Sequence, residues 1–261
     1  MRMNLTQLFS NISGELESSC AIGEEKLLTL AANEPIERIE KTDIDFVTSY
    51  FSNDFNISRL DETARNLFEL SANAFYSIIL AWISELPIEK EIISFGRGIL
   101  SAAQNFNNLD DKRRAADKAA NNRADADALT VLKTAGKVQI EIHRLQGLLR
   151  FSVNEDGEYV AMCEPDHFVL PCLGEFFTAR FGDTPWAIID EKRGLRLGRK
   201  PGERAKINVF EESLGVPSAK SDEWEELWKH YQKTINNEDR KNTDLQRQLM
   251  PKRYWKHLPE M

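Results

Sequence analysis

The chain has 261 residues, of which 41% are hydrophobic and 29% charged, values that fit an ordinary globular protein of one large or two modest domains. The formal net charge of -8 excludes a global positive field that would draw the whole protein to nucleic acid. The charge is uneven, because residues 1–111 carry 8 Lys and Arg against 18 Asp and Glu, whereas residues 112–261 carry 26 against 24. Any anion-binding surface is therefore expected in the second part.

Several classes of function lack their sequence motifs. The three cysteines, Cys20, Cys163 and Cys172, are too widely spaced for a zinc site or a redox pair. The chain contains no GxGxxG loop, P-loop, HExxH helix or GxSxG elbow, so the sequence predicts no cofactor and no metal. No secretory signal is visible, and the most apolar stretch, residues 72–86, is too short and polar to span a bilayer. We therefore expect a cytoplasmic protein without a membrane partner.

The first half of the chain predicts helices. Residues 1–57 are weakly patterned, with a short amphipathic helix at Leu5, Leu8, Phe9 and Ile12 and an acidic loop over 31–45. A helical region over 58–128 follows. It comprises a core-facing helix from Leu60 to Glu85 that ends before Pro87, a second helix over 88–106, and an exposed link or short helix over 110–127.

The remaining region, residues 129–261, predicts a mixture of helices and strands. A long helix over 129–148 precedes two β-hairpins. The first has alternating segments on both sides of the turn Asn154-Glu-Asp-Gly, and the second joins Trp186-Ala-Ile-Ile-Asp to Leu195-Arg-Leu through Glu191-Lys-Arg-Gly. The other predictions are an Asp166 cap on a helix over 168–181, an exposed loop over 198–220, a helix from Ser221 to Ile235 that buries Trp224, Leu227, Trp228 and Tyr231, and a basic helix over 243–249. The predicted fold class is α+β, with a helical N-terminal part followed by a small antiparallel sheet of two hairpins covered by helices.

The candidate anion-binding residues of this second region lie in or beside three basic segments, 144–150, 192–206 and 240–257, with Arg180 as a further cation. The residues are His143, Arg144, Arg150, Arg180, Arg193, Arg196, Lys252, Arg253, Tyr254 and Trp255. Arginine and lysine can contact phosphates, while the rings of Tyr254 and Trp255, near the C-terminal end of the sequence, can stack on unpaired bases. In the alternative interpretation, the late-helix cations complement the helix dipole, the 192–206 segment is a solvated hairpin rim, and Trp255 anchors the tail into the domain.

The segment from Glu164 to His167 is the candidate catalytic site. Glu164 and His167 could form a general acid–base pair, because a carboxylate can orient an imidazole. The alternative is a structural hydrogen bond near a turn, and the residues leave both interpretations open.

The chain resembles a bacterial family of domains of unknown function that is connected with DNA metabolism and repair. The resemblance is strongest over 129–261. Its motifs are His143-Arg, Arg150-Phe, Glu164-Pro-Asp-His, Arg180-Phe, Trp186 to Asp190, and the closing Met250-Pro-Lys-Arg-Tyr-Trp-Lys-His-Leu-Pro-Glu. Members of this family commonly open with an aromatic-Asp-Gly strand, which residues 1–30 lack.

The resemblance implies an accessory role in DNA repair. Family members are encoded beside a radical-SAM protein of DNA repair or modification, or are fused to uracil-DNA glycosylase-type enzymes. The expected partners are thus a radical-SAM enzyme and DNA, in single-stranded form. The alternatives are a nucleotide- or base-processing enzyme that uses Glu164 and His167, and a protein–protein adaptor whose basic tail only packs.

Overall fold

The computed structural model describes residues 3–14, 40–52, 55–210 and 242–258, together with Leu227, His230, Tyr231, Lys233 and Thr234. The chain separates into two compact units. Unit 1 comprises Met1–Val47 and Asp54–Gln139, and unit 2 comprises Thr48–Asn53 and Ile140–Met261. In the part of the chain that is described, no helix combines the length and apolar character needed to cross a membrane.

Unit 1 is built from helices. Their bounds are α1 Leu5–Ser13, α2 Lys41–Tyr50, α3 Glu62–Leu70, α4 Ala72–Ile83, α5 Glu89–Gln104, α6 Leu109–Ala120 and α7 Ala126–Leu148, of which α2 and α7 continue into unit 2. The predicted helix at the N-terminus is confirmed, since all four of its apolar residues are buried in α1. Helix α4 is buried at eight of its twelve positions, as expected for a helix at the centre of a core.

The prediction of one helix from Leu60 to Glu85 is wrong, because Ser71 separates α3 from α4. Ser71 has an extended backbone, and its hydroxyl accepts a hydrogen bond from Ala74 N as the N-cap of α4. The same hydroxyl donates to Asp117 Oδ1 of α6 at 2.6 Å. A serine that caps one helix and binds another stabilises the break, although the apolar spacing continues across it.

Two further predictions in this unit are resolved. The segment predicted as an exposed link or short helix over 110–127 forms helix α6 up to Ala120, with the small buried side chains Ala116 and Ala120 facing the core, and a turn then leads into α7. The predicted loop over 31–45 is wrong for its last residues, which begin α2, where the Asp43 carboxylate accepts a hydrogen bond from Leu5 N at 3.2 Å. The rest of that loop lies outside the described residues.

Unit 2 contains a five-stranded sheet in the order β1-β2-β3-β4-β5, and the predicted α+β fold class is confirmed. The strands are β1 Ser152–Val153, β2 Tyr159–Cys163, β3 Trp186–Asp190, β4 Leu195–Arg199 and β5 Lys206–Val209. The two predicted hairpins are β1–β2 and β3–β4, both antiparallel. A 3-10 helix, Leu170–Leu173, and α8, Gly174–Phe181, connect β2 to β3.

Three details of the predicted sheet are corrected. The pairing of β2 with β3 is parallel, because the connection through α8 is a crossover rather than a turn. Residues 206–209 form the edge strand β5 and not a loop. Helix α7 continues through Leu148, so the first strand begins only at Ser152 and Arg150 lies between the two elements.

The core of unit 2 lies on both faces of β3, whose five residues are all buried. On one face, Trp186 packs at 6.1 Å from the ring of Phe177 in α8. On the other face, Ala187 and Ile189 pack with Val160 of β2. Packing on both faces holds β3 in place, and with it the residues at its C-terminal end.

The predicted helix from Ser221 to Ile235 lies mostly outside the described residues, Trp224, Trp228 and Ile235 among them. Leu227 and Tyr231, which are described and helical, were predicted to be buried, and this prediction is wrong because they are 56% and 50% exposed. Apolar spacing identifies a common helix face, but it does not determine whether another element covers that face.

Candidate functional site

The end of the described chain packs on unit 2. Helix α9, Thr243–Leu249, begins at the cap Asn242, and a 3-10 helix, Lys252–His257, follows Pro251 and contacts β2. Tyr254 and Leu258 are buried, whereas Trp255 is half-buried. The alternative interpretation, in which Trp255 and its neighbours anchor this segment on the domain, is confirmed for these residues. The segment Lys252–Leu258 is called the tail below.

A buried carboxylate in α7 holds the tail. Glu141 is 2% exposed, and its Oε1 accepts a hydrogen bond from the Tyr254 hydroxyl at 2.7 Å. The same carboxylate accepts from the backbone N–H groups of Asp166 at 3.0 Å and His167 at 2.9 Å. Burial, together with the Glu141 carboxylate, raises the pKa of Tyr254, so its hydroxyl remains protonated and donates. Glu141 thus connects α7, the loop after β2 and the tail.

Arg253 is engaged by acids of its own domain. Its Nη1 lies 3.0 Å from Asp166 Oδ2, and its Nη2 lies 3.8 Å from Glu141 Oε1. The guanidinium also lies over the ring of Tyr254, 4.8 Å from the centroid. This predicted phosphate-binding residue therefore reinforces the attachment of the tail.

Two other predicted cations form ion pairs that are largely shielded from water. Arg193 Nη1 donates to Asp190 Oδ2 at 2.8 Å, and both side chains are almost fully buried. Arg193 also donates to the carbonyls of Pro165 and Asp166, so it ties the β3–β4 turn to the loop after β2. Arg196 pairs with Glu158, and only 15% and 12% of these two side chains are exposed.

The loop after β2 has a different role from the one predicted for Asp166. The backbone N–H of Asp166 donates to Glu141, and the helical turn that follows has Val169 as its N-cap residue, so the predicted Asp166 cap is wrong. The side chain of Glu164 accepts a hydrogen bond from Lys256, and the backbone of His167 is held by Glu141. The proposed acid–base role of Glu164 and His167 stays a prediction.

Lys256 and His257 of the tail contact two carboxylates at the edge of the sheet that is formed by the carboxyl ends of β2 and β3. Lys256 Nζ donates to Glu164 Oε1 and, at 3.0 Å, to Glu191 Oε2. His257 Nε2 lies 3.4 Å from the same Glu191 oxygen. The hydrogen bond from Lys256 lowers the pKa of Glu164, and burial lowers the pKa of His257. We call Glu164, Glu191, Lys256 and His257 the edge cluster.

A second group of side chains surrounds the junction of α9 and the tail. Arg144 Nη2 donates to the carbonyl of Gln248 at 3.1 Å, and Trp255 Nε1 donates to the carbonyl of Met250 at 2.9 Å. The exposed Lys252 ammonium lies 5.9 Å from the centroid of the Trp255 ring. Because Gln248 and Met250 are close in sequence, the two hydrogen bonds bring Arg144 to the same junction as Lys252 and Trp255. We call Arg144, Lys252 and Trp255 the junction surface.

The other predicted anion-binding residues are distributed around unit 2. His143 is exposed one residue before Arg144, and Arg180 is exposed in the last turn of α8. Arg150 Nη1 donates to the Gly147 carbonyl at 3.0 Å, where it complements the C-terminal end of α7.

The two described cysteines differ in exposure, since Cys163 is buried and Cys172 is partly exposed. Burial raises the pKa of both thiols well above the ordinary value, which favours the protonated form over the nucleophilic thiolate. Cys20 lies outside the described residues.

Sequence reasoning missed the acids that organise this region. Nothing in the spacing of the long helix distinguishes Glu141 from an exposed acid, although it is a buried acceptor for the tail. Asp190 ends an apolar strand, and an acid directly after such a run is the one local signal that was available. The partners of Glu164 and Glu191 are Lys256 and His257, far along the chain, and no local pattern indicates such contacts.

The part of the chain that contains these sites is similar to a known protein family. The sequence model of the domain of unknown function DUF4130 matches residues 103–260, which is more than half of the chain. The chain belongs to this family. No curated protein and no solved structure matches it.

Proposed function

We propose that this protein is an accessory factor of DNA metabolism or repair that acts with a radical-SAM repair or modification enzyme and binds single-stranded DNA. The resemblance of its motifs to the DNA-repair-linked family supports the first part of the proposal. The observation that carries the DNA-binding part is the junction surface, where an arginine, an exposed lysine and a half-buried indole meet. Proteins that bind single strands combine such cations with aromatic stacking platforms.

The chemistry of the junction surface fits a single strand better than a duplex. Arg144 and Lys252 supply phosphate contacts, while the exposed part of the Trp255 ring offers a surface for an unpaired base. The indole Nε1 is already used by the Met250 carbonyl, so the ring is held in place before a base arrives. Stacking on a pre-positioned ring requires an unstacked base, which a single strand provides.

The charge balance predicts weak and salt-sensitive binding. The net charge of -8 opposes a polyanion at long range, so attraction depends on a local group of cations. Ion pairs with acids of the same unit occupy Arg193, Arg196 and Arg253. The number of phosphate contacts is therefore smaller than the count of basic residues in the sequence suggests.

Replacement of Trp255 by alanine is expected to weaken binding of a short single-stranded oligonucleotide by about 1–3 kcal/mol, the usual contribution of one stacked base. The slope of affinity against salt should stay the same, because no phosphate contact is lost. Fluorescence anisotropy of a labelled oligonucleotide measures both quantities at low salt.

The matched control is Phe176→Ala, which removes an exposed ring from α8. Equal losses of affinity in the two variants would contradict a stacking role for Trp255. Thermal melting of both variants separates lost stacking from lost folding, since Trp255 also packs. Absence of binding by the wild-type protein, even at low salt, would favour the protein–protein adaptor.

A further inference from the structure

The edge cluster has the composition of a metal site. Glu164 and Glu191 each offer a carboxylate oxygen and His257 offers an imidazole nitrogen, and these three atoms all lie within 4.8 Å of one another. Two ligands at about 2.1 Å from one ion lie at most about 4.2 Å apart. Small side-chain rotations therefore suffice to place all three atoms around one ion.

The sheet fixes the positions of the two carboxylates. Cys163 and Asp190 are paired in the parallel strands β2 and β3, and Glu164 and Glu191 are the residues that follow them. The Glu191 N–H donates to the Cys163 carbonyl at 3.0 Å, so the pairing continues to the first ligand-bearing residue after β3. Ligands commonly bind outside the carboxyl ends of neighbouring parallel strands, where the edge cluster lies.

The histidine supplies an independent indication of a ligand. His257 Nε2 is inaccessible to solvent and lies 3.4 Å from Glu191 Oε2, yet it makes no hydrogen bond among the described residues. A buried polar nitrogen without a hydrogen bond is destabilising, and coordination to an ion would satisfy it. His257 lies between the buried residues Tyr254 and Leu258, so the tail that carries this nitrogen is packed on the domain.

Lys256 already provides a positive charge between the carboxylates. Its ammonium bridges Glu164 and Glu191, and 58% of its side chain is exposed. A flexible, exposed lysine can move into solvent without disturbing the core. The ammonium therefore stands in for the cation that the two carboxylates attract.

We propose that Glu164, Glu191 and His257 bind one divalent transition-metal ion, with Lys256 moving aside when the ion enters. Two carboxylate oxygens and one imidazole nitrogen suit Mn²⁺ and Zn²⁺ better than Mg²⁺ or Ca²⁺, which prefer oxygen ligands alone. Three protein ligands leave at least one coordination position for water or a phosphate oxygen. The metal site does not depend on nucleic-acid binding by the junction surface.

The test measures Mn²⁺ binding to the full chain after dialysis against a chelator. Loss of the six-line electron paramagnetic resonance signal of free Mn²⁺ reports binding, and we expect one ion per chain that Zn²⁺ displaces. Glu191→Gln and His257→Gln should each weaken binding by at least about tenfold, the lower range for even an outer-shell change at a metal site. The matched control, Glu155→Gln, changes an exposed turn carboxylate of the same unit and should leave binding unaltered.

Lys256→Met gives the sharper result, because it removes the competing charge and keeps the length of the side chain. Mn²⁺ should bind this variant about fivefold or more tightly than the wild-type protein, since a positive charge within about 4 Å of the ion opposes binding even at the dielectric of water. A structural ion-pair role for the cluster predicts a lower melting temperature for Lys256→Met and no tighter binding.

Two results would overturn the proposal. One is the absence of Mn²⁺ and Zn²⁺ binding by both the wild-type protein and Lys256→Met, each shown to be folded by circular dichroism. The other is equal Mn²⁺ affinity in the wild-type protein, Glu191→Gln and Glu155→Gln.

Discussion

Replacement of Glu141 by leucine is expected to lower the free energy of unfolding by about 3–5 kcal/mol, the range for removing one partner from a buried charged network. The leucine fills much of the same volume but leaves the Asp166 and His167 backbone N–H groups and the Tyr254 hydroxyl without their acceptor. Each orphaned buried donor costs about 1–3 kcal/mol. Urea unfolding followed by circular dichroism measures the change.

The matched control is Gln139→Leu, which introduces leucine at an exposed position of the same helix. Tyr254→Phe removes only one donor and should cost about 1–2 kcal/mol. The double variant Glu141→Leu/Tyr254→Phe should lose less stability than the sum of the two single losses. The reason is that both single variants break the same hydrogen bond, the one from the Tyr254 hydroxyl to Glu141. Additive losses, or a Glu141→Leu protein as stable as the control, would contradict the role of Glu141 as the attachment point of the tail.

Replacement of Asp190 by alanine should lower the free energy of unfolding by about 3–5 kcal/mol, because it leaves the buried Arg193 guanidinium without its counter-charge. Arg193 keeps its bonds to the Pro165 and Asp166 carbonyls, which are neutral acceptors. Thermal and urea unfolding report the loss.

An exposed ion pair in the same unit provides the comparison. Asp244→Ala breaks the pair with Arg247, in which 91% and 53% of the side chains are exposed, and should cost less than about 1 kcal/mol. Combining Asp190→Ala with Arg193→Met removes both charges and should restore much of the stability. A loss from Asp190→Ala no larger than that from Asp244→Ala would mean that Arg193 can reach water, and would return it to the candidate phosphate-binding residues.

Periodicity predicted the regular elements where one face is apolar and continuous. Helix α1 is an example. The β3–β4 hairpin was predictable on another ground, because two apolar segments flank a turn in which Gly194 adopts the positive φ that the turn requires. Periodicity failed at Ser71, where a cap interrupts an unbroken stripe. It also failed at β5, an edge strand of only four, mostly exposed residues, whose short alternation is hard to distinguish from the charged segment around it.

The candidate sites were only partly predictable because charge sign does not identify a partner. Arg193 and Lys252 both occur in basic segments, yet one is buried against Asp190 and the other is exposed beside Trp255. The difference arises from contacts made when the strands and the tail assemble. The edge cluster likewise joins the ends of two strands with the tail, which no spacing rule in the sequence describes.

The central claim is that the junction surface binds single-stranded nucleic acid, and the salt dependence of binding tests it most directly. The observed affinity for a labelled oligonucleotide should fall linearly with salt on logarithmic axes, by about 0.7 per phosphate contact. The double variant Arg144→Gln/Lys252→Gln should make this slope shallower by about 1.4, whereas Lys90→Gln/Lys118→Gln, an equal change in charge on exposed residues of unit 1, should leave it unchanged. Equal slopes for the wild-type protein and the Arg144/Lys252 variant, or no binding at low salt, would contradict the claim.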